Sequence, residues 1–422
     1  MSEAIPPGAP PRSLLEELGP GLVTGAADDD PSGIGTYSQV GAQFGFALGG
    51  MMILSFPLMA ATQAICARIG AATGRGIASN LRRHYPPWLT RAAVLLLLIA
   101  NVFNLGADLG AMAAVLQMAV PGPHLAYTLG FAIVSVVLEV LVRYDRYAPA
   151  LKWASLSLLA YVGVVFAVRF PLGPALHELL LPHFALDRTH ITALVAVLGT
   201  TISPYLFFWQ PAQEIEEQHR RRVAPLVRAP AQARAELRRI DTDTVLGMGY
   251  SNLIALFIII ATAATLHQQG IVDIGSADQA ARALRPIAGE FAFALFAIGI
   301  VGTGLLAVPV LAGSAAYAVA EAMGWHEGLA RPWHRARAFY TVIAASTLAG
   351  AALELLAINP MRALYWAAVL NGLLAPPLMV VTMLIAANRS IMGPVAIRGP
   401  LAWLGWLSTG VMAVAGVLFL TS

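Results

Sequence analysis

One cysteine in 422 residues, Cys66, excludes an intramolecular disulfide and any multi-cysteine metal centre. Charge is equally scarce. Asp, Glu, Lys and Arg make up 12% of the chain, about half of what a soluble domain carries, so a water-facing globular surface is excluded. The net charge is only +3, and the basic residues sit in short stretches, so no nucleic-acid surface is offered. The opening "MSEAIPPGAPPRSLLEELGPG" lacks a charged-then-apolar leader and reads as a Pro-rich tail followed by a short amphipathic segment. What the chain has in abundance is apolar residues, at 58%, with a mean hydropathy of +0.70. It reads as an all-α polytopic membrane protein.

A helix needs about 20 apolar residues to cross the hydrocarbon, and runs such as "SNLIALFIIIATAATL" supply them. The pattern predicts about eleven membrane segments, centred near residues 30, 55, 105, 133, 160, 203, 256, 305, 346, 375 and 410. Positive charge alternates between the loops. Arg68, Arg75, Arg82, Arg83 and Arg91 follow segment 2, and Arg143, Arg146 and Lys152 follow segment 4. Arg220, Arg221, Arg222, Arg228, Arg234, Arg238 and Arg239 follow segment 6; Arg331, Arg335 and Arg337 follow segment 8; Arg389 and Arg398 follow segment 10. Loops rich in Lys and Arg stay in the cytoplasm. The expectation is therefore a multi-pass protein of the plasma (inner) membrane, surrounded by lipid, with its N-terminus cytoplasmic and its C-terminus outside.

Two segments break their own helix. "GAADDDPSGIGTYS" (Gly25 to Ser38) carries three aspartates into segment 1, and "GTTISPYLFF" interrupts segment 6 with Gly199 and Pro204. Proline removes a backbone donor and disfavours helix at the residue before it. Irregular backbone at membrane depth is tolerated only where protein or a water-filled cavity satisfies it. Segments 1 and 6 are five apart, so two interrupted helices occupy matching places in two five-helix halves, which points to an inverted-repeat transporter with its site near the midplane. The division expected is a tail over 1–17, repeats over 18–170 and 187–387, and an added helix over 400–421.

An aspartate at the centre of a membrane helix costs roughly 2.5 to 3.5 kcal/mol on insertion scales, and its default reading is functional. Asp30, beside the unwound Pro31-Ser32-Gly33, is the foremost candidate for a cation ligand. Asp28 and Asp29 either line the same site or bond water and freed backbone. Thr200, Thr201 and Ser203 add hydroxyls from the second break. Neither break carries Met, Cys or His, so the chemistry is all oxygen, which suits hard divalent cations. Asn101, Asn104 and Asp108 fall on one face of segment 3 as an ion or proton path, or as interhelical hydrogen bonds. Asn371 in segment 10 either lines the site or joins helices. Glu139 and Arg143 read as an interfacial pair. Glu214, Glu216, Glu217 and His219 read as a solvated helix end. His177, His183 and His190 read as scattered loop histidines.

The same residues resemble a family. "GPGLVTGAADDDPSGIGTYSQVGAQFG" is similar to the first helix of the Nramp divalent-metal transporters, whose motif there is Asp-Pro-Gly-Asn. "ARIGAATGRGI" (Ala67 to Ile77) and "AANRSIMG" (Ala386 to Gly393) look like the family's stretches after helices 2 and 10, and "TISPY" falls where the family has Met-Pro-His. The resemblance implies a LeuT-like 5+5 inverted repeat with discontinuous helices 1 and 6 plus an eleventh helix. It also implies metal transport by alternating access. The metal would be substrate, with no cofactor, and the chain is expected to act as a monomer. By this resemblance Asp30 matches the ligand aspartate, and the carbonyls of Ala27 and Thr200 match carbonyl ligands. Gly33 stands where the family has its ligand asparagine, Ser203 where it has methionine, and Tyr205 where it has histidine. Asp108 matches an aspartate of the proton route, while Ala111 replaces a glutamate. Losing the thioether weakens selection for transition metals. The departures look like the Nramp-related magnesium transporters, so the expectation is Mg²⁺ transport with Mn²⁺ also accepted and little or no proton coupling. The alternatives are a proton-coupled Mn²⁺/Fe²⁺ transporter, or an organic-cation carrier using Tyr205, Phe207, Phe208 and Trp209. An intramembrane hydrolase is disfavoured, because adjacent aspartates on a helix diverge.

Overall fold

The computed structural model describes residues 19–142, 156–181 and 185–422. The tail over 1–17, Arg143, Arg146, Lys152 and His183 lie outside the described residues. Among the described residues there are nine helical stretches long and apolar enough to cross a membrane. Every expected segment centre falls on a helix or on a break between two half-helices.

Segment 1 is split into α1 (Pro20–Asp28) and α2 (Pro31–Phe44). Then come α3 (Gly50–Thr73), α4 (Ile77–His84), α5 (Pro87–Ala119), α6 (His124–Leu141) and the short α7 (Leu159–Ala167). Segment 6 is split into α8 (Arg188–Thr201) and α9 (Pro204–Arg221). The chain continues through α10 (Ala233–Thr265), α11 (Ala292–Met323), α12 (Arg337–Ala352), α13 (Pro360–Ala387) and α14 (Gly399–Thr421).

The packing is reciprocal between halves. The broken segment 1 lies along α10, the second helix of the other half; in the broken segment 6, α9 lies along α3, the second helix of the first half, while α8 packs on α13. The third helices of the two halves, α5 and α11, pack against each other. Exchange of this kind is what a two-fold related pair of five-helix units produces.

Both breaks have a local cause. Asp30 is extended (φ −71°, ψ 169°) and caps α2 by accepting the Gly33 N–H, with Pro31 in the first turn, where its missing donor costs nothing. Ser203 is also extended and precedes Pro204. Its hydroxyl, unlike a carboxylate, can donate, and it turns back to the carbonyls of Thr200 (2.7 Å) and Gly199 (3.2 Å). One break thus secures the helix that follows it, and the other the helix that precedes it.

Close backbone approach fixes α1 on α10. A Cβ on Gly25 would lie 2.1 Å from the Gly247 carbonyl oxygen, and one on Gly247 would lie 2.1 Å from that of Gly21. Only glycine permits this contact, the small-residue packing that joins helices in lipid.

Candidate metal site at the two helix breaks

Asp30 is 2% exposed and holds four elements together. One carboxylate oxygen accepts the Gly33 N–H at 2.6 Å; the other accepts Asn104 Nδ2 from α5 at 2.9 Å and faces the Tyr205 hydroxyl of α9 at 3.5 Å. Asn371 Nδ2 of α13 donates to Asn104 Oδ1 at 3.1 Å, so α13 and α5 reach the break through a chain of two amides. The Tyr205 hydroxyl donates to the Ala27 carbonyl at 3.1 Å. Across the break, a Cβ on Gly33 would meet Thr200 Oγ1 at 3.2 Å and the Asp28 carbonyl at 3.4 Å. The two interrupted segments therefore meet, and Asp30, Ala27, Gly33, Thr200, Tyr205, Asn104 and Asn371 come together there, with Ser203 bonded to the Thr200 carbonyl.

Asp108 also arrives at the break but on its other side. One of its oxygens accepts the Ser32 N–H at 3.1 Å, and the second, buried, has no partner. Asp28 and Asp29 are turned toward α10, where an oxygen of each lies within hydrogen-bond distance of Ser251 Oγ, at 2.9 and 3.0 Å, with one hydroxyl proton between them.

Two expected residues are elsewhere. Asn101 donates to the Leu311 carbonyl of α11 at 2.8 Å, the interhelical bond that is one of its two expected roles. Thr201 bends back to the carbonyls of Val197 (2.9 Å) and Leu198 (3.3 Å) in its own helix, the usual fate of a threonine hydroxyl inside a helix. Phe207, Phe208 and Trp209 are buried in the core, and Trp209 meets Tyr317 edge-on at 6.2 Å. Only Tyr205 of the aromatic run reaches Asp30, so no aromatic cage for an organic cation forms.

The acidic end of segment 6 is also unlike its expectation. Glu214 is buried and paired with Arg239 of α10 at 2.5 Å, and Arg239 with Glu236 at 3.2 Å. Arg221 binds Glu236 through both terminal nitrogens at 2.8 Å. Glu216 accepts from Tyr317 and from the Leu329 N–H. Partners from α10 and α11, not water, meet these charges. Glu139 is buried, and Arg143, its expected partner, lies outside the described residues. The described histidines do not form a metal site: His190 pairs with Asp187 at 2.6 Å.

Sequence reasoning missed three contributors. Ser251 had no local signal. Thr24 of α1 bonds Gln210 of α9. Asp243, near the start of α10, accepts the backbone N–H groups of Gly19 (2.9 Å), Gly21 (2.7 Å) and Leu22 (3.3 Å). That carboxylate supplies the cap that α1 lacks in its own sequence.

Among the described residues no three His, Cys, Asp or Glu side chains converge as a metal centre. Around Asp30, coordination would draw on one carboxylate, hydroxyls and carbonyls freed by unwinding. That donor set is hard and all oxygen. A membrane protein with two half-helix pairs meeting at a buried, oxygen-lined carboxylate belongs with the inverted-repeat carriers. The family model described as "Natural resistance-associated macrophage protein-like" matches residues 21–422, and the chain belongs to the Nramp family of membrane transporters. It is 28% identical over 407 residues to the divalent metal cation transporter MntH of Acidiphilium cryptum, covering 92% of this chain and 86% of that protein. Its fold is similar to that of the Eremococcus coleocola manganese transporter, with a TM-score of 0.74 at 16% identity, covering 98% of this chain and 88% of the other. It is also similar to MhsT, solved with L-phenylalanine, with a TM-score of 0.60 at 14% identity, covering 97% and 98%. The LeuT-like architecture is thereby confirmed.

Proposed function

We propose that this chain carries divalent metal cations across the membrane by alternating access, with Mn²⁺ among its substrates. The observation that carries the reading is Asp30, a buried carboxylate at the junction of two unwound helices, faced by the Tyr205 hydroxyl, which also bonds the Ala27 carbonyl, while in the second break the Ser203 hydroxyl bonds the Thr200 carbonyl. The relatives are named for divalent metal cations and manganese, and they do not support placing the chain in the magnesium branch. Mn²⁺ is hard enough for an oxygen-only site, so the donor set and the relatives agree on it.

A second reading, Mg²⁺ as the main substrate, is favoured by one feature: Ser203 offers a hydroxyl where a thioether would select softer metals. In this proposal the repeats over 18–170 and 187–387 rock about the two breaks. The arginine-rich loops face the cytoplasm of an inner membrane, and the chain works as a monomer in lipid.

Flux into proteoliposomes tests the reading. Mn²⁺ uptake is expected, and Asp30→Ala should abolish it. Ser203→Met should shift preference toward Cd²⁺; uptake unaffected by Asp30→Ala would refute the site. Mg²⁺ competing with Mn²⁺ at equal concentration would favour the second reading. A pH gradient across the same vesicles tests proton coupling, and Asp108→Asn should remove any pH dependence that is found.

A further inference from the structure

Asp28 and Asp29 are not used by the transport site just described. They are 0% and 1% exposed, and their only hydrogen-bond donor among the described residues is Ser251 Oγ. A hydroxyl has one proton, so it cannot satisfy both carboxylates at once; one carboxylate oxygen faces the serine lone pairs across about 3 Å. The two remaining oxygens, Asp28 Oδ1 and Asp29 Oδ2, are buried without any partner. No ion pair reaches either residue among the described side chains.

Asp28, Asp29, Asp30 and Asp108 are all buried at membrane depth, where an uncompensated charge is costly. Were all four ionised, one divalent ion at Asp30 would offset two of four, and the rest would have to be met by protons or by a second cation. The two groups are also separate in their partners. Asp30 is held by Gly33, Asn104 and Tyr205, and Asp28 and Asp29 by Ser251 on α10.

We propose that Asp28, Asp29 and Ser251 form a second site for a hard divalent cation, beside the Asp30 site and independent of it. Two carboxylates match the ion's charge. The serine oxygen becomes a ligand once its proton turns outward, and water completes the shell. Filled, this site fastens the end of α1 to α10. It rests on the transporter reading only for the role given to Asp30.

The test is the number of Mn²⁺ ions bound by the purified full chain, measured by equilibrium dialysis with Mn²⁺ as the probe. Wild type is expected to bind two per chain. Asp30→Asn should bind one, and the double variant Asp28→Asn/Asp29→Asn should also bind one. Asparagine is isosteric with aspartate, and Ser251→Cys provides a milder variant that keeps both carboxylates. Its thiol should raise Cd²⁺ affinity relative to Mn²⁺ by about tenfold or more at the site that survives Asp30→Asn. One ion per wild-type chain, unchanged binding in the double variant, or an unchanged Cd²⁺ preference in Ser251→Cys would overturn the second site. Retention of two ions in Asp30→Asn, with loss in the double variant, would instead sink the Asp30 assignment and leave this one standing.

Discussion

Asp243→Ala removes the one group that holds the free end of α1. That helix has nine residues and no side-chain cap of its own, too few to be stable alone. The Asp243 carboxylate accepts three N–H groups at its start, from the N-cap Gly19 and from Gly21 and Leu22. Loss of an N-cap costs about 0.5 to 2 kcal/mol. Loss of negative charge at a helix N-terminus adds roughly 0.3 to 1 kcal/mol. If α1 leaves α10 when the arginine-rich side opens, its N–H groups find water there, and the whole of that difference shifts the equilibrium toward the open form. At about 1.4 kcal/mol per factor of ten, the open population should rise by roughly 4- to 100-fold. The chain suits a cysteine-accessibility assay because its single cysteine is buried and can be replaced by Cys66→Ser. Ala26→Cys on α1, 6% exposed in wild type, then reports opening through its rate of reaction with a membrane-impermeant maleimide from the arginine-rich side. The rate should rise with Asp243→Ala and less with Asp243→Asn, which keeps one acceptor oxygen. Equal rates in all three backgrounds would show that Asp243 does not hold the closed state.

Gly25→Ala places a methyl 2.1 Å from the Gly247 carbonyl oxygen, where the backbone must move; loss of monodisperse protein on size-exclusion chromatography is expected, at a cost of about 1 to 3 kcal/mol or more. Gly33→Asn adds a side chain whose Cβ sits 3.2 to 3.4 Å from Thr200 Oγ1, the Asp28 carbonyl and Asp30 Oδ1, a tight but workable fit. Its amide oxygen would be a further ligand, and calorimetry should show Mn²⁺ binding stronger by about tenfold, with no gain refuting the position. Glu327 lies in the loop between α11 and α12, and burial, outweighing attraction from Arg331 and Arg82, pushes its carboxyl up to about 7. The fold therefore binds that proton more tightly than the unfolded chain does. This contribution is complete below the unfolded value and disappears as pH rises through 7. The melting temperature should thus fall between pH 5 and 8 more steeply in wild type than in Glu327→Gln.

The breaks were legible because proline and glycine act locally. Asp-Asp-Pro-Ser-Gly and Ile-Ser-Pro-Tyr interrupt an apolar run whatever surrounds them, and they fall at Asp29–Asp30 and Ile202–Ser203 in the fold. The meeting of Asp30, Asn104 and Asn371 followed from polarity at membrane depth, since each needs a buried partner. What sequence could not supply was direction. Thr200 and Thr201 look alike on paper, but they point about 100° apart on a helix, so one faces Gly33 while the other bends into its own backbone. Asn101 and Asn104 share a face, but a turn of displacement along α5 carries Asn101 to α11. Glu214 and Glu216 read as solvated because Arg239 and Tyr317 are distant in sequence and their pairing exists only once α9 has docked.

The two breaks also explain how an oxygen-only site stays closed without a cation. The Tyr205 hydroxyl donates to the Ala27 carbonyl, and the Ser203 hydroxyl to the Thr200 carbonyl. Those carbonyls lie at the ends of α1 and α8, where helix termini leave them without intrahelical partners. Each hydroxyl satisfies the oxygen that a metal would otherwise hold. In the proposed site, binding would exchange two internal hydrogen bonds for coordination, and each hydroxyl, once turned, would present its own lone pairs to the ion. A methionine at Ser203 or a phenylalanine at Tyr205 could not make that exchange. Such variants would leave a carbonyl buried and unbonded whenever the site is empty, at about 1 to 3 kcal/mol for each one. The hydroxyls at these positions therefore act on the empty state as much as on the loaded one.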